Sequence, residues 1–225
     1  MTPGVLTLAV IDPGTRVPEL DCYNRISRHS PIPTTYHMPA QHGIDSLLRV
    51  QDHTAGVIVL GSGASVNDRE PWQVALNDWL TPRLHTLPML GLCYGHQLLA
   101  HLLGGEVGFL FDDHTKLKGV RDVPLTADRL WGPAVTGPMV VSHAEVVKTL
   151  PPDCVLRGAS EVCPVEAFAH ATLPIWGFQP HPEATTAFTT NNSVPFDREP
   201  RILRFGHGLV DRFTAFVAAR QGTPQ

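Results

Sequence analysis

Clustered basic residues are missing from this sequence. Its 225 residues carry 17 Lys and Arg against 21 Asp and Glu, for a net charge of -4, and no run of one sign appears. A nucleic-acid surface needs basic side chains gathered on one face, so that partner is not expected. Long apolar runs are also lacking: nothing approaches the roughly 20 residues of a membrane-spanning helix, so no membrane partner is expected. The opening Met1-Thr2-Pro3-Gly4 has neither the basic flank nor the small-residue cleavage site of a secretory leader. Cysteine is scarce, at four residues, which makes a poor disulfide framework and points to a reducing, cytoplasmic setting. With 43% hydrophobic residues the chain can bury a sizeable core, and its length suits one domain over residues 1–225.

What is present is alternation. Three short apolar runs, at residues 5–11, 56–60 and 87–92, are rich in strand formers. The first two end in the turn signals Asp12-Pro13-Gly14 and Gly61-Ser62-Gly63. Runs that are apolar on both faces suit a parallel sheet covered by helices on each side. Between the second and third, Trp72, Leu76, Trp79, Leu80 and Leu84 recur at helical spacing, with Pro71 acceptable in a first turn. Residues 97–103 predict a second helix, stopped by Gly104-Gly105. Strand and helix in alternation predict an α/β domain. Residues 120–125, 139–142 and 155–159 predict antiparallel strands, and residues 174–179 a last strand leading into His181. Residues 185–200 are polar and read as a surface loop; Ile202, Phe205, Leu209, Phe213 and Phe216 then mark a closing helix.

The chemistry gathers at the end of the third run. Gly91-Leu92-Cys93-Tyr94-Gly95 sits at a predicted strand-to-helix junction. A sharp turn there strains the central residue and leaves no room for neighbouring Cβ atoms, which accounts for the flanking glycines. The helix that follows aims its N-terminus at the sulfur, favouring thiolate over thiol, and its first N–H groups, Tyr94 foremost, can hold an oxyanion. A buried structural cysteine in a tight turn is the plainer alternative, and the motif alone does not exclude it. A cysteine nucleophile needs an imidazole held by a carboxylate. His181-Pro182-Glu183 follows an apolar strand and would lie at the same sheet edge. Pro182 favours extended backbone at His181, where residues two apart point the same way.

Taken together, Gly91-Leu92-Cys93-Tyr94-Gly95-His96-Gln97 and His181-Pro182-Glu183 resemble the class I glutamine amidotransferase family, with its Gly-x-Cys-x-Gly-x-Gln elbow and terminal His-Pro-Glu. Gly177-Phe178-Gln179-Pro180 fits as well, and Ser142-His143-Ala144-Glu145-Val146 looks like the Ser-His-x-Asp-x-Val stretch in the glutaminase domain of GMP synthetases. The resemblance implies a flavodoxin-like three-layer α/β sandwich with a mostly parallel central sheet and a small antiparallel region. It implies that Cys93 attacks the glutamine side-chain carboxamide, that His181 moves the protons and that Glu183 orients His181. Gly61 and Ser62 occupy the family's Gly-Gly-Pro oxyanion loop and join Tyr94, although Ser62 and Gly63 depart from that pattern. Gln97 would line the glutamine pocket, while Ser142 and His143 would hold the substrate's amino-acid end. Neither metal nor cofactor is implied.

Three continuations stay open. Ammonia from glutamine could pass to a separate ATP-dependent synthase, since no ATP-using domain follows in the sequence up to Gln225. The same triad could hydrolyse a γ-glutamyl small molecule or peptide without a partner. The third is a silent regulatory module, against which an intact triad argues. A dinucleotide fingerprint is discounted because Val66 stands where its third glycine belongs. A zinc deaminase is discounted because an aspartate interrupts Pro-Cys and Cys154 lies too far from Cys163. Those two cysteines read as small core residues of apolar strands.

Overall fold

The structure, a computed structural model, describes residues 5–197 and 199–221. The reading of the first four residues as no leader therefore lies outside the described residues. In chain order the elements are β1 (Thr7–Ile11), α1 (Leu20–His29), β2 (Thr34–His37), α2 (Pro39–His42), α3 (Asp45–Val50), β3 (Thr54–Val59), α4 (Pro71–Leu80), β4 (Met89–Leu92) and α5 (Tyr94–Leu102). Then come β5 (Glu106–Phe109), β6 (Leu117–Leu125), β7 (Val135–His143), β8 (Glu145–Thr149), β9 (Cys154–Gly158), β10 (Ala167–His170), β11 (Ile175–Phe178), α6 (Thr186–Asn191) and α7 (Arg204–Gln221).

The three expected apolar runs are β1, β3 and β4. They lie in a seven-stranded sheet of order β2-β1-β3-β4-β11-β10-β9. From β2 to β11 all neighbours are parallel; β10 and β9 add an antiparallel edge. Successive side chains of these buried strands alternate between two cores. Leu8, Val10, Ile58, Leu90 and Leu92 face one core, closed by Leu209, Phe213 and Val217 of α7. Ala9, Ile11, Val57, Val59 and Met89 face the other, closed by Leu76, Trp79 and Leu80 of α4 and by Leu98 and Leu99 of α5. Each such buried side chain contributes roughly 1.5–3 kcal/mol, which is what holds three layers together. Arg25 of α1 grips Asp211 of α7 through two bonds of 2.5 and 2.6 Å, locking the helices on that face.

Helix α4 starts where Pro71 suggested, under a reciprocal cap between Glu70 and Gln73. Strands β6 and β7 pair over their full length, and β5 pairs with β8, so the small antiparallel region is two separate ribbons. Residues 185–200 differ from the expected loop. Thr185 caps α6 by accepting from the Phe188 N–H, and Phe188 and Val194 are buried against Cys22, Val140 and Leu203. An N-cap beside one aromatic anchor was enough to fold a stretch whose composition is polar; Arg198, within it, is outside the described residues. Cys163 is buried but lies in the loop before β10 rather than in a strand. Among the described residues no helix is long and apolar enough to cross a membrane.

Candidate active site

Strand β4 is flanked by β3 and β11, all parallel, so the segments leaving their carboxyl ends converge. Cys93 leaves β4 with φ 51 and ψ -102, the strained turn expected of an elbow. Its N–H donates to Phe178 O of β11 at 2.8 Å, and the Gly95 N–H donates to Leu60 O, just past β3, at 3.2 Å. A Cβ on Gly95 would stand 2.1 Å from Val59 O, so only glycine lets α5 start this close to the sheet.

His181 arrives from β11. Its N–H donates to Val140 O at 2.8 Å, and its ring lies 4.4 Å, centroid to centroid, from Phe188. Nδ1 pairs with Glu183 Oε1 at 2.9 Å, both residues buried. The backbone reason differs from the expectation of extended chain: residues 181–184 form a tight turn, with Ala184 N–H donating to His181 O at 3.2 Å. Gly61 packs against this ring, since a Cβ there would lie 2.8 Å from His181 Cε1 and 3.7 Å from Cys93 Cβ. Burial opposes a charged imidazole, but the Cys93 sulfur and the Glu183 carboxylate outweigh it and hold the His181 pKa well above the ordinary value. Nε2, the ring nitrogen not bonded to Glu183, makes no bond of full hydrogen-bond geometry.

The other sequence-predicted residues surround this pair. Ser62 does not point its hydroxyl at the sulfur: Oγ donates to Pro13 O at 2.8 Å and accepts from the Ala64 N–H at 3.1 Å, bracing the loop after β3. Tyr94 supplies the first N–H of α5, while its hydroxyl accepts from Gln73 Nε2 at 3.1 Å. Gln97 Nε2 donates to Glu145 O at 2.7 Å. Ser142 O lies 4.0 Å from the sulfur. His143 is buried and, chiefly by desolvation, its pKa falls to about 3, so it is neutral at pH 7. A cleft of about 230 Å³ opens over Cys93, Gln97 and His143, with Asp68, Lys116 and Glu145 also on its wall.

The family model for class I glutamine amidotransferases matches residues 27–198, most of the sequence and both motif segments. The chain belongs to the class I glutamine amidotransferase family. One of the subunits of the glutamine-hydrolysing GMP synthase of Pyrococcus furiosus is 40% identical over 110 residues, covering 43% of this chain and 51% of that protein. The chain therefore spans about half the length of the curated relatives it matches. Among solved structures, a protein from Thermoplasma acidophilum described as a GMP synthase subunit superposes with a TM-score of 0.74 at 20% identity, covering 97% of this chain and 96% of that one. A glutamine amidotransferase from Thermotoga maritima gives 0.71 at 17% identity, covering 95% and 98%. At these identities the likeness is one of fold.

Two residues around Cys93 and His181 carry no mark of their place in the sequence. Gln179 is fully buried between Gln97 Nε2, at 3.2 Å from its Oε1, and the Cys93 sulfur, at 3.8 Å from its Nε2. Its place beside His181 in sequence was visible, but nothing marked its side chain. Glu19, ahead of α1, couples electrostatically to His181 and Glu183, and burial raises its pKa to about 7. No local signal marks it, because the coupling crosses the whole fold. Burial pushes the Cys154 and Cys163 thiols up to about 12 and that of Cys22 well above its ordinary value. His96, on α5, is fully buried.

Proposed function

We propose that this protein hydrolyses the side-chain amide of glutamine through a thioester on Cys93. The carrying observation is that His181, bonded to Glu183, is buried beside Cys93, which lines the cleft, in a chain of the class I glutamine amidotransferase family. Cys93, as thiolate, attacks the carboxamide carbon, and the oxyanion that forms is held by the Tyr94 N–H and by N–H groups of the Gly61-Ser62 loop. The bracing that Ser62 gives this loop supports that role; each such donor is worth ~10²–10³ in rate. The His181 imidazolium gives its proton to the departing nitrogen, the carbon–nitrogen bond breaks and ammonia leaves. His181 then takes a proton from water, which attacks the thioester and releases glutamate and the thiolate. Glu183 keeps the ring oriented and stabilises its charged form, as general acid–base catalysis of ~10²–10⁴ requires. The reaction balances with water alone.

The cleft suits a small zwitterion. At about 230 Å³ it is smaller than the ~300–1,000 Å³ typical of drug-sized ligands. Glu145 and Asp68 can receive an α-ammonium group and Lys116 an α-carboxylate, alongside Gln97, Ser142 and His143. The GMP synthase relatives are named as one subunit of their enzyme, which implies a second chain in those proteins; a separate ATP-dependent synthase taking the ammonia is part of this proposal. So are the reading of residues 1–225 as one domain and a cytoplasmic location, where four free cysteines stay reduced.

Incubation with a glutamine-mimicking diazo-ketone, followed by peptide mass spectrometry, should place one adduct on Cys93, and the protein should release ammonia from glutamine. A pull-down from native cells should recover a synthase that speeds this release. Turnover of γ-glutamyl peptides with none on glutamine would replace the proposal with a stand-alone γ-glutamyl hydrolase, and neither adduct nor turnover would leave a binding module.

A further inference from the structure

Gln179 is the first residue after β11, and its N–H donates to Glu166 O at 2.8 Å. Its carboxamide orientation is decided by its neighbours rather than by its shape. The main-chain carbonyl of Glu145 can only accept, so the Gln97 atom 2.7 Å away is Nε2. That same nitrogen lies 3.2 Å from the Gln179 carboxamide, whose atom there must accept and is Oε1. The donor end of Gln179 is left facing Cys93 Sγ at 3.8 Å, within hydrogen-bond range of the larger sulfur atom. An N–H aimed at sulfur matches a thiolate, a strong acceptor, better than a thiol. The opposing contact is Ser142 O, an acceptor at 4.0 Å that suits the thiol.

We propose that Gln179 is a further catalytic residue: its amide N–H, aimed by Gln97, holds the Cys93 sulfur as the resting thiolate. The inference rests on the glutaminase reading for its role in turnover, but not for the state of the sulfur. The groups facing that sulfur are few. His181, backed by Glu183 and coupled to Glu19, comes from the segment after β11. His143 ends β7 and His96 lies on α5; desolvation brings the pKa of each to about 3, so both are neutral. The loop after β3 presents uncharged Gly61 and Ser62, with Asp68, Glu145 and Lys116 along the cleft wall. The Arg121–Glu166 ion pair at 2.5 Å fixes the stretch of chain that holds Gln179. The Gln179 carboxamide is thus a donor within range of the sulfur of a residue only 4% exposed, beside the His181 ring.

The test titrates the sulfur directly. Iodoacetamide alkylation of Cys93 is followed by peptide mass spectrometry from pH 4 to 10 in the wild type, Gln179→Met, Gln179→Glu and Gln97→Met. Circular dichroism and melting curves report folding. The expected result is an alkylation midpoint raised by about one to two units in Gln179→Met. A larger rise is expected in Gln179→Glu, where a negative acceptor faces the sulfur, and a smaller one in Gln97→Met. The acid limb of the glutaminase pH profile should move with the midpoint, with kcat falling more than KM changes. An unchanged midpoint in folded Gln179→Met overturns the proposal; if that variant does not fold, an unchanged midpoint in the isosteric Gln179→Glu does so. Because alkylation needs no glutamine, a wild type without glutaminase activity sinks the functional reading while the midpoint still decides on Gln179.

Discussion

Replacing Gly61 with alanine tests whether the position of the His181 ring governs the rate. The added Cβ would land 2.8 Å from His181 Cε1 and 3.5 Å from Nδ1. Carbon atoms settle at about 3.5–4.0 Å, so the ring or the loop must retreat by about 1 Å. The ring has little room, with Phe188 at 4.4 Å on one side and Glu183 bonded to Nδ1 at 2.9 Å. If the loop yields instead, the oxyanion donors move. Either way a reacting group is displaced by about 1 Å, which costs on the order of 10²-fold, or about 2.7 kcal/mol of barrier. Stability should fall only modestly. Overpacking of this kind costs about 1–3 kcal/mol, and because the Gly61 backbone is outside the left-handed region, alanine offsets about 0.4–1 kcal/mol of that by restricting the unfolded chain. Steady-state ammonia release from glutamine, measured beside a urea melt, separates the two. Turnover within about threefold of wild type in a folded Gly61→Ala protein would refute the reasoning.

Gly95→Ala should act in the opposite way: its Cβ would meet Val59 O at 2.1 Å and Val59 C at 2.8 Å, both immovable backbone, so stability should fall by about 3 kcal/mol or more in urea titrations. A loss under about 1 kcal/mol would show that α5 can lift off the sheet freely. Glu19→Gln should make stability less pH-dependent. Burial first, eased by the Asn192 hydrogen bond, raises the Glu19 carboxyl from 4.5 to about 7, so the folded chain keeps a proton that the unfolded chain loses. Stability contributed by that proton is present below 4.5 and declines as pH rises through about 7. Melting temperatures should therefore show the variant gaining on wild type at about pH 8 and matching it near about pH 4; a difference independent of pH would refute the assignment.

Much of the framework was legible because its signals are short-range. The three apolar strands, the Pro71 helix and the turn at Cys93 each rest on contiguous residues, and each appears where periodicity and turn chemistry put it. The failures were also local. Residues 185–200 depart from the loop their composition suggests because one N-cap and one buried phenylalanine outweigh that polarity. His181 and Glu183 do meet, yet through a turn rather than extended chain, since the Pro182 preference bears on one residue and the Ala184 hydrogen bond closes the next.

The motif words carried the family and named the candidate nucleophile, base and carboxylate, because such roles are properties of side chains. They could not carry adjacency. That β11 enters the sheet beside β4, with β3 on the other flank, follows from burying both faces of the sheet at once. Only that packing aims the Gln179 carboxamide at the sulfur and brings Glu19 into the field of His181. Such contacts join residues distant in the chain, and no window of sequence contains both partners.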